Sequence, residues 1–249
     1  MENTQSITLY QVDAFTDKLF TGNPAAVCPL SEWPDEDLMQ KIALENNLAE
    51  TAFYVKQGNR YEIRWFTPKV EVDLCGHATL ATAFVLFNHE NHNEDSIHFY
   101  SERSGELIVT REGDLITLNF PTDIFNPIEL TEENTGGFDS MPIEGYKGKT
   151  DYMFVFEDEQ QIRYMKPDLG LISKLEARGV IVTAKGNETD FVSRFFDPQT
   201  NVDEDPVTGS AHTTLAPYWA KKLNKNVLTA IQLSDRKGYL QCKYLNDRV

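Results

Sequence analysis

The sequence is poor in cysteine and in basic residues. It has three cysteines among 249 residues, Cys28, Cys75 and Cys242. They are far apart and odd in number, so they supply neither a disulfide framework nor a zinc motif. Lysine and arginine number 23 against 39 acidic residues, which gives a formal net charge of −16 and a pI of about 4.7. Such a surface repels nucleic acid and anionic membranes, so we expect neither as a partner.

Long hydrophobic segments are also missing. The N-terminus, from Met1 to Leu9, lacks the basic start and apolar core of a signal peptide. The longest apolar run, near residues 78–87, is shorter than the roughly 20 residues that span a bilayer. Together with the cysteine pattern, these absences predict a reduced, cytoplasmic location. In so acidic a protein, an anionic substrate requires a local positive site such as a helix N-terminus.

The sequence does contain an internal repeat. Residues 64–73 read RWFTPKVEVD and residues 194–203 read RFFDPQTNVD, so that Arg, Phe, Pro, Val and Asp recur at an offset of 130. Gly58-Asn59 and Gly186-Asn187 precede the two copies as turn signals. A duplication of about half of the chain explains this pattern better than chance does.

Each copy is followed by a helix-like run that a glycine precedes. Cys75-Gly76-His77 leads into residues 78–87, and Thr208-Gly209-Ser210 leads into residues 211–223, with three extra residues in the second copy. The run over residues 78–87 is apolar nearly all round, as expected of a helix enclosed by strands. We therefore predict an α+β fold with two pseudo-symmetric halves, residues 1–121 and 122–249. Each half is expected to place antiparallel strands around one helix.

Shorter patterns predict the remaining elements of the first half. Alternation and turn residues indicate strands, and apolar spacing with asparagine stop signals indicates a helix. Strands are predicted over Ile7–Phe15 and Ala25–Cys28, joined by a Gly22-Asn23-Pro24 turn. A helix is predicted from Pro34, with Leu38 and Ile42 on one face and its end at Asn46 and Asn47. A hairpin is predicted from Thr51–Val55 with Tyr61–Phe66.

The two helix starts are candidate ligand sites. Small residues expose the free N–H groups of a first turn. The helix dipole favours a carboxylate there by about 0.3–1 kcal/mol, and by up to about 2 kcal/mol when the site is buried. In a twofold arrangement both helices would point at one ligand, and ordinary capping without a ligand is the alternative for either loop.

Several side chains near these motifs are candidates for proton transfer. Glu45 lies at the expected C-terminus of its helix, the unfavourable end for a carboxylate, and with partial burial it could take and return a proton. His77 is either a general acid or donor that titrates near neutrality, or a structural histidine. Asp205 is a second carboxylate or a solvated loop residue. Cys75 offers a thiol, but its repeat partner is Thr208.

The other histidines give no metal template. His89, His92 and His98 lie in a polar stretch without ligand spacing, and His212 suits the core equally well. We therefore expect no metal.

The chain resembles the PhzF family of phenazine-biosynthesis-like isomerases and, more distantly, the diaminopimelate epimerase fold. The resemblance runs from Tyr10 to about Leu240. It rests on these ordered blocks: residues 12–16 (VDAFT), 22–27 (GNPAAV), 45–50 (ENNLAE), 73–80 (DLCGHATL) and 204–211 (EDPVTGSA).

The resemblance implies two halves, each a β-barrel-like sheet around a central helix, with the site in the cleft between them. It also implies isomerisation of a dihydro-hydroxyanthranilate ring by hydrogen transfer, without metal or organic cofactor. The family's proton-carrying glutamate matches Glu45, and its histidine, aspartate and serine match His77, Asp205 and Ser210. Diaminopimelate epimerases carry paired cysteines at the places of Cys75 and Thr208, and here only the first is a cysteine.

Two departures from the family are expected to matter. Residues 131–149 match poorly, so they could reshape the pocket. Relatives usually continue past the position of Val249 with further strands.

These observations predict a cofactor-independent isomerase that acts on a small carboxylate-bearing molecule. Glu45 moves the proton, while His77 and Asp205 orient or polarise the substrate. The backbone of Gly76, Gly209 and Ser210 holds the carboxylate, and Asn23 also contacts substrate. A racemase that uses Cys75 and a catalytically silent binding protein of the same fold are the alternatives. Homodimer formation is also among our expectations.

Overall fold

The chain divides into two compact units. The computed structural model describes residues 6–200 and 202–249, so Asn201 of the repeated segment lies outside the described residues. Unit 1 comprises the described residues up to Ala14 together with Pro24–Asn119, and unit 2 comprises Phe15–Asn23 and Phe120–Val249. The division after Asn119 falls two residues before the boundary expected at residue 121. The short segment Phe15–Asn23 belongs with the second unit.

Unit 1 is built on an eight-stranded sheet. Its elements are β1 (Tyr10–Ala14), β2 (Asn23–Leu30), α1 (Glu36–Asn46), β3 (Glu50–Gln57), β4 (Arg60–Phe66), β5 (Glu71–Val72), α2 (Gly76–Asn88), β6 (Ser96–Ser101), β7 (Gly105–Glu112) and β8 (Leu115–Leu118). The strands follow the order β1-β2-β3-β4-β6-β7-β8, and β5 pairs with β4. Helix α2 packs against β1, β3 and β8.

Unit 2 is built on a seven-stranded sheet. Its elements are β9 (Asn126–Pro127), α3 (Glu132–Thr135), β10 (Glu144–Lys147), β11 (Tyr152–Val155), α4 (Glu159–Tyr164), α5 (Leu169–Ile172), β12 (Val180–Lys185), β13 (Phe191–Phe196), α6 (His212–Leu223), β14 (Val227–Gln232) and β15 (Gly238–Lys243), with a 3₁₀ turn at Pro198–Thr200. The strand order is β15-β14-β13-β12-β11-β10-β9, and α6 packs against β14 and β15.

The two sheets repeat one pairing scheme. In unit 1, β2 and β3 are parallel, β3 and β4 antiparallel, β4 and β6 parallel, and β6 and β7 antiparallel. In unit 2, β11, β12, β13, β14 and β15 pair in the same alternation. The α+β fold with two similar halves is confirmed. The expectation of antiparallel strands alone was wrong, because chain segments that leave and re-enter a sheet allow parallel neighbours.

An arginine–glutamate clamp recurs in both units. Arg64 of β4 donates through Nε and Nη2 to the two carboxylate oxygens of Glu71, at 2.7 and 2.8 Å. Arg194 of β13 binds Glu204 in the same way, at 2.7 and 2.7 Å. Each clamp fixes the loop that leads to the following helix by a bidentate charged contact. Glu71 and Glu204 are 133 residues apart, so the three extra residues lie upstream of Glu204.

Helix α2 is enclosed as its composition predicted. Ten of its thirteen residues are buried, among them His77, and the large exposed exception is Phe84. In α1 the buried residues lie one position after the residues that were predicted to pack. Met39 and Ala43 are buried, whereas Leu38 is exposed and Ile42 is only partly covered.

Local sequence signals predicted the end of α1 correctly but predicted the turn before β2 only in part. Asn47 takes a left-handed conformation with φ of 50° and caps the helix, as its stop signal predicted. The predicted Gly22-Asn23-Pro24 turn is wrong in part, because Asn23 and Pro24 already belong to β2. The connection from β1 runs instead over residues 15–22, with positive φ at Phe15, Phe20 and Gly22.

No helix in the described part of the chain is long and apolar enough to cross a membrane.

Candidate active site

In unit 1 the candidate residues lie at the start of α2. Cys75 is the N-cap residue in an extended conformation, and Gly76 and His77 are the first two helical residues. The carbonyl oxygen of Cys75 accepts from Thr79 through both its N–H, at 3.1 Å, and its hydroxyl, at 2.6 Å. The half-buried Gly76 carries no side chain that would cover the first-turn N–H groups.

The His77 ring is buried between a carboxylate and a thiol. Its Nε2 lies 3.2 Å from Oε2 of Glu50, and its Nδ1 lies 3.5 Å from Sγ of Cys75. Burial lowers the pKa of His77, but the negative charges available on Cys75 and Glu50 outweigh burial and raise the pKa well above its ordinary value. The surroundings of the ring therefore favour its protonated form, and a part for His77 in proton transfer stays a prediction.

Burial has the opposite consequence for the neighbouring thiol. Desolvation, together with the charge of Glu50, raises the pKa of Cys75 despite the nearby imidazolium. The Glu50 carboxylate therefore acts on both groups, because its charge disfavours the thiolate of Cys75 and favours the imidazolium of His77.

Glu50, Cys75 and His77 also form a group of metal-ligand types. One ligand atom of each lies within 4.8 Å of the other two. The spacing of residues 50, 75 and 77 matches no metal-binding template, so this group could not be predicted from the sequence. A protonated imidazole has no lone pair to offer a metal, so the group would have to lose a proton before it bound a cation.

Glu45 lies apart from this cluster. It is the penultimate residue of α1, and its side chain is exposed, so the partial burial considered for it in the sequence is not observed. Its neighbour Asn46 donates from Nδ2 to Oγ1 of Thr51, at 3.1 Å, which ties the end of α1 to β3. Among the described residues, Glu50 and not Glu45 contacts His77.

In unit 2 the structure brings Asn23 and Asp205 together. Nδ2 of the fully buried Asn23 donates to Oδ1 of Asp205 at 2.7 Å and to the carbonyl oxygen of Val207 at 2.9 Å. Oγ1 of Thr208 donates to Oδ2 of Asp205 at 2.6 Å. Asp205 is half-buried rather than solvated, and its carboxylate is held in one orientation. Asn23 positions Asp205, and its contact with a substrate stays a prediction.

A glutamine completes this network. Nε2 of Gln232 donates to the backbone oxygen of Asp205 at 2.7 Å, while its Oε1 accepts from the N–H of Thr208 at 2.9 Å. Gln232 is fully buried at the end of β14. One side chain thus fixes the backbone on both sides of Pro206 and Val207.

The start of α6 lies one residue later than the sequence indicated. Residues 209–211 form a turn, and the helix runs from His212. Gly209 lies close to Phe15, since a Cβ at this position would be 3.2 Å from the Phe15 ring and the ring would have to shift slightly. Oγ of Ser210 accepts from Nη2 of Arg178 at 3.1 Å.

Arg178 places a positively charged guanidinium next to this turn. Its Nε donates to Oδ1 of Asp151 at 2.9 Å, its Nη2 also donates to Asp151, and its guanidinium lies 5.3 Å from the centre of the Phe195 ring. Because Asp151 is buried, the guanidinium is fixed beside Ser210.

The remaining histidines are dispersed. His212 is buried, and its Nδ1–H donates to the backbone oxygen of Thr208 at 2.9 Å. Burial lowers the pKa of His212 to about 4. His89 stacks on Tyr10, His92 accepts from Tyr61 at 3.2 Å, and His98 pairs with Glu106 at 3.0 Å. In the described residues these histidines do not converge.

Sequence reasoning missed Glu50, Arg178 and Gln232. Glu50 stands in the quoted block 45–50, and its position at the start of a strand after a helix was the available signal. Arg178 and Gln232 stand alone in sequence, so no local pattern marked them.

Comparison with known proteins agrees with this architecture. Residues 12–247 match the sequence profile of the PhzC-PhzF family, described as phenazine biosynthesis-like protein. An uncharacterized isomerase from Pseudomonas aeruginosa is 50% identical over 98% of this chain and 93% of its own length. A crystal structure of a PhzF family protein from Enterococcus faecalis, 48% identical, has a TM-score of 0.95 and covers 98% of this chain and 94% of that chain.

The chain therefore belongs to the PhzC-PhzF, phenazine biosynthesis-like, family. A predicted epimerase from Pseudomonas aeruginosa shares the fold at 19% identity, with a TM-score of 0.74 over 98% of this chain and 94% of that chain. Three of the relatives are named isomerases, which supports isomerase activity for the family.

Proposed function

We propose that the chain is a cofactor-independent isomerase that moves a proton on a small carboxylate-bearing substrate, with Glu45 as the proton carrier. One observation carries the proposal: among the candidate acids and bases, Glu45 alone has an exposed side chain. Cys75, His77 and His212 are buried, and Asp205 is held by Asn23 and Thr208. A general acid–base group has to reach the proton that it abstracts.

The other predicted residues have supporting parts in this proposal. In unit 1, His77 acts as a hydrogen-bond donor that orients or polarises the substrate, and the N–H groups after Gly76 hold a carboxylate. In unit 2, Asp205 orients the substrate, and the backbone of Gly209 and Ser210 holds a carboxylate. The first-turn N–H groups and the fixed Asp205 carboxylate support these assignments.

Deuterium exchange tests the reaction even when the product is unidentified. The protein is incubated in D₂O with a panel of small carboxylic acids, including cyclic dienoic acids and amino acids, and deuterium incorporated at carbon is measured by mass spectrometry. Glu45→Gln keeps the shape but cannot carry the proton, so we expect exchange to fall roughly 10²–10⁴-fold. Ligand affinity and melting temperature should stay the same, because the side chain is exposed.

Glu32→Gln is the matched control, since Glu32 is also an exposed glutamate of unit 1. It should exchange at the wild-type rate. A fully active Glu45→Gln variant would exclude Glu45 as the proton carrier.

A racemase that uses Cys75 is the second candidate function. The 3.5 Å contact between Sγ of Cys75 and Nδ1 of His77 favours it, because an adjacent imidazole can accept a thiol proton. Racemisation of an amino acid that is lost in Cys75→Ser and retained in Glu45→Gln would establish this activity instead. Binding of a panel acid without any exchange would indicate a silent binding protein.

A further inference from the structure

An arginine of unit 2 holds the hydroxyl of Ser210 in the turn before α6. Nη2 of Arg178 donates to Oγ of Ser210 at 3.1 Å, and the same guanidinium donates through Nε and Nη2 to the carboxylate of Asp151. Asp151 is buried, so the guanidinium cannot turn away without leaving a buried charge uncompensated. Arg178 therefore reaches Ser210 from a fixed position.

The strands of unit 2 build this arrangement. Asp151 directly precedes β11, Arg178 lies two residues before β12, and the N–H of Arg178 donates to the backbone oxygen of Thr150 at 2.8 Å. Gly179 leaves room for the Phe195 ring, with which a Cβ at this position would collide. The centre of that ring lies 5.3 Å from the guanidinium. The place of the guanidinium thus follows from the parallel pairing of β11 with β12.

Unit 1 has a charged contact at the equivalent place. His77 and Ser210 each follow the glycine of their repeat and are 133 residues apart. His77 contacts Glu50 at the start of β3, and Ser210 contacts Arg178 just before β12. β3 and β12 are equivalent strands, because each pairs antiparallel with a strand that carries the repeat, β4 or β13. The contact recurs although the residue types differ, which favours a part in the site over local packing alone.

The bond from Arg178 limits what the Ser210 hydroxyl can do. A serine hydroxyl has one proton to donate and two lone pairs that accept, whereas a guanidinium only donates. Arg178 therefore occupies an acceptor position of Oγ, and the hydroxyl proton is left for another acceptor. Because the carboxylate of Asp151 neutralises the guanidinium, Arg178 contributes direction more than net charge. Ser210 is half-buried, so a ligand at this turn can reach it.

We propose that Arg178 is a positioning residue of unit 2, which fixes the side-chain rotamer of Ser210 and directs its hydroxyl proton toward an acceptor of the substrate. This rests on the proposed function, in which a carboxylate lies at the turn of Gly209 and Ser210, and deepens it. Without Arg178, the side chain has three staggered rotamers and three hydroxyl directions. Affinity for the substrate should then fall about threefold to ninefold.

NMR of the full-length protein tests the positioning without any substrate. Three-bond couplings between Hα and Hβ report the rotamer of Ser210, and they should show a single rotamer in the wild type. Arg178→Lys keeps a positive charge beside Asp151 but lacks the planar fork that bonds Asp151 and Ser210 together. The Ser210 couplings should therefore become averaged in this variant.

Arg163→Lys is the matched control. Arg163 also pairs with a largely buried carboxylate of unit 2, that of Glu159, and its side chain is 36% exposed against 38% for Arg178. The structure gives Arg163 no bond to Ser210 among the described residues, so this variant should leave the Ser210 couplings unchanged.

Binding of small carboxylic acids separates positioning from a purely structural role. Affinities for the acids of the exchange panel are measured by isothermal titration calorimetry. Ser210→Ala should lower them roughly tenfold or more, because a hydrogen bond to a charged group is lost. Arg178→Lys should lower them about threefold to ninefold. The double variant should bind as Ser210→Ala does, because Arg178 acts through a hydroxyl that is then absent, and Arg163→Lys should bind as the wild type does.

Three results would overturn the proposal: averaged Ser210 rotamers in the wild type, unchanged couplings in Arg178→Lys, or additive losses of affinity in the double variant. If Arg178→Lys does not fold, Arg178→Gln combined with Asp151→Asn removes both charges of the pair together and gives the same comparison. The couplings are read in the substrate-free protein, so a failure of Glu45 as the proton carrier leaves this result standing, and the reverse also holds.

Discussion

The buried His212 is expected to make the protein sensitive to acid. Its pKa is lowered from the ordinary 6.5 to about 4 by burial in unit 2. Between these values the unfolded chain binds a proton that the folded chain does not, so acidification favours unfolding. The gap corresponds to about 3 kcal/mol, at about 1.4 kcal/mol for each pH unit. The stability should be fully present above pH 6.5 and fully lost below about pH 4.

His212→Asn isolates this contribution. The asparagine amide replaces the Nδ1–H donor to Thr208 but does not titrate. The variant should be less stable than the wild type at pH 7.5, because it leaves space beside Phe191. Urea unfolding followed by circular dichroism, repeated from pH 7.5 to pH 4, measures the difference. That difference should shrink by about 3 kcal/mol as the pH falls.

His98→Asn serves as the control for the same series. His98 is exposed, and substitutions at exposed positions usually change the free energy of unfolding by less than about 0.5 kcal/mol. A constant difference for His212→Asn would refute the reasoning, because it would mean that the folded protein charges His212 as readily as the unfolded chain does.

Two further predictions concern the Asp205 network and metal. Asn23→Ala removes a bond to a carboxylate and a bond to a carbonyl, so urea unfolding should show a loss of about 2–4 kcal/mol. Asn226→Ala, at an exposed asparagine, should cost less than about 0.5 kcal/mol, and equal losses would refute the role of Asn23. EDTA should leave deuterium exchange unchanged, because the proposed proton transfer through Glu45 uses no metal. Activity lost in EDTA and restored by Zn²⁺ would contradict this.

The repeat carried most of what could be predicted of the fold. The recurring arginine and the aromatic residues near it identified two equivalent strands, which are β4 and β13 in the structure. The sequence could not reveal why the arginine recurs. Its bidentate clamp to Glu71 or Glu204 depends on a loop returning to the strand. The parallel strand pairs were missed for a similar reason. The alternation of apolar and polar residues within a strand does not indicate which other strand pairs with it in the sheet.

The candidate site was predictable where its residues adjoin a motif. Gly76 and His77 open α2 as expected, and Asp205 lies in the loop before α6. The contact of His77 with Glu50 spans 27 positions and arises from the way β3 passes α2. The residues next to Glu50 or His77 in the sequence do not indicate this contact. Side-chain charge states follow from such contacts, which is why the sequence alone does not distinguish His77 from His212.

The segment Phe15–Asn23 determines how the chain can be divided. It precedes most of unit 1 in sequence, yet it belongs to unit 2, where Phe15 accepts from the N–H of Tyr239 at 3.0 Å and Gly22 donates to Lys237 at 2.6 Å. A fragment that begins at Phe120 would lose these bonds and both donors of Asn23 to the Asp205 loop. No single cut in the chain therefore yields a complete second half. A gene fusion or a split-protein complementation pair would have to supply residues 15–23 as a separate peptide, or rejoin them to residue 120 by circular permutation.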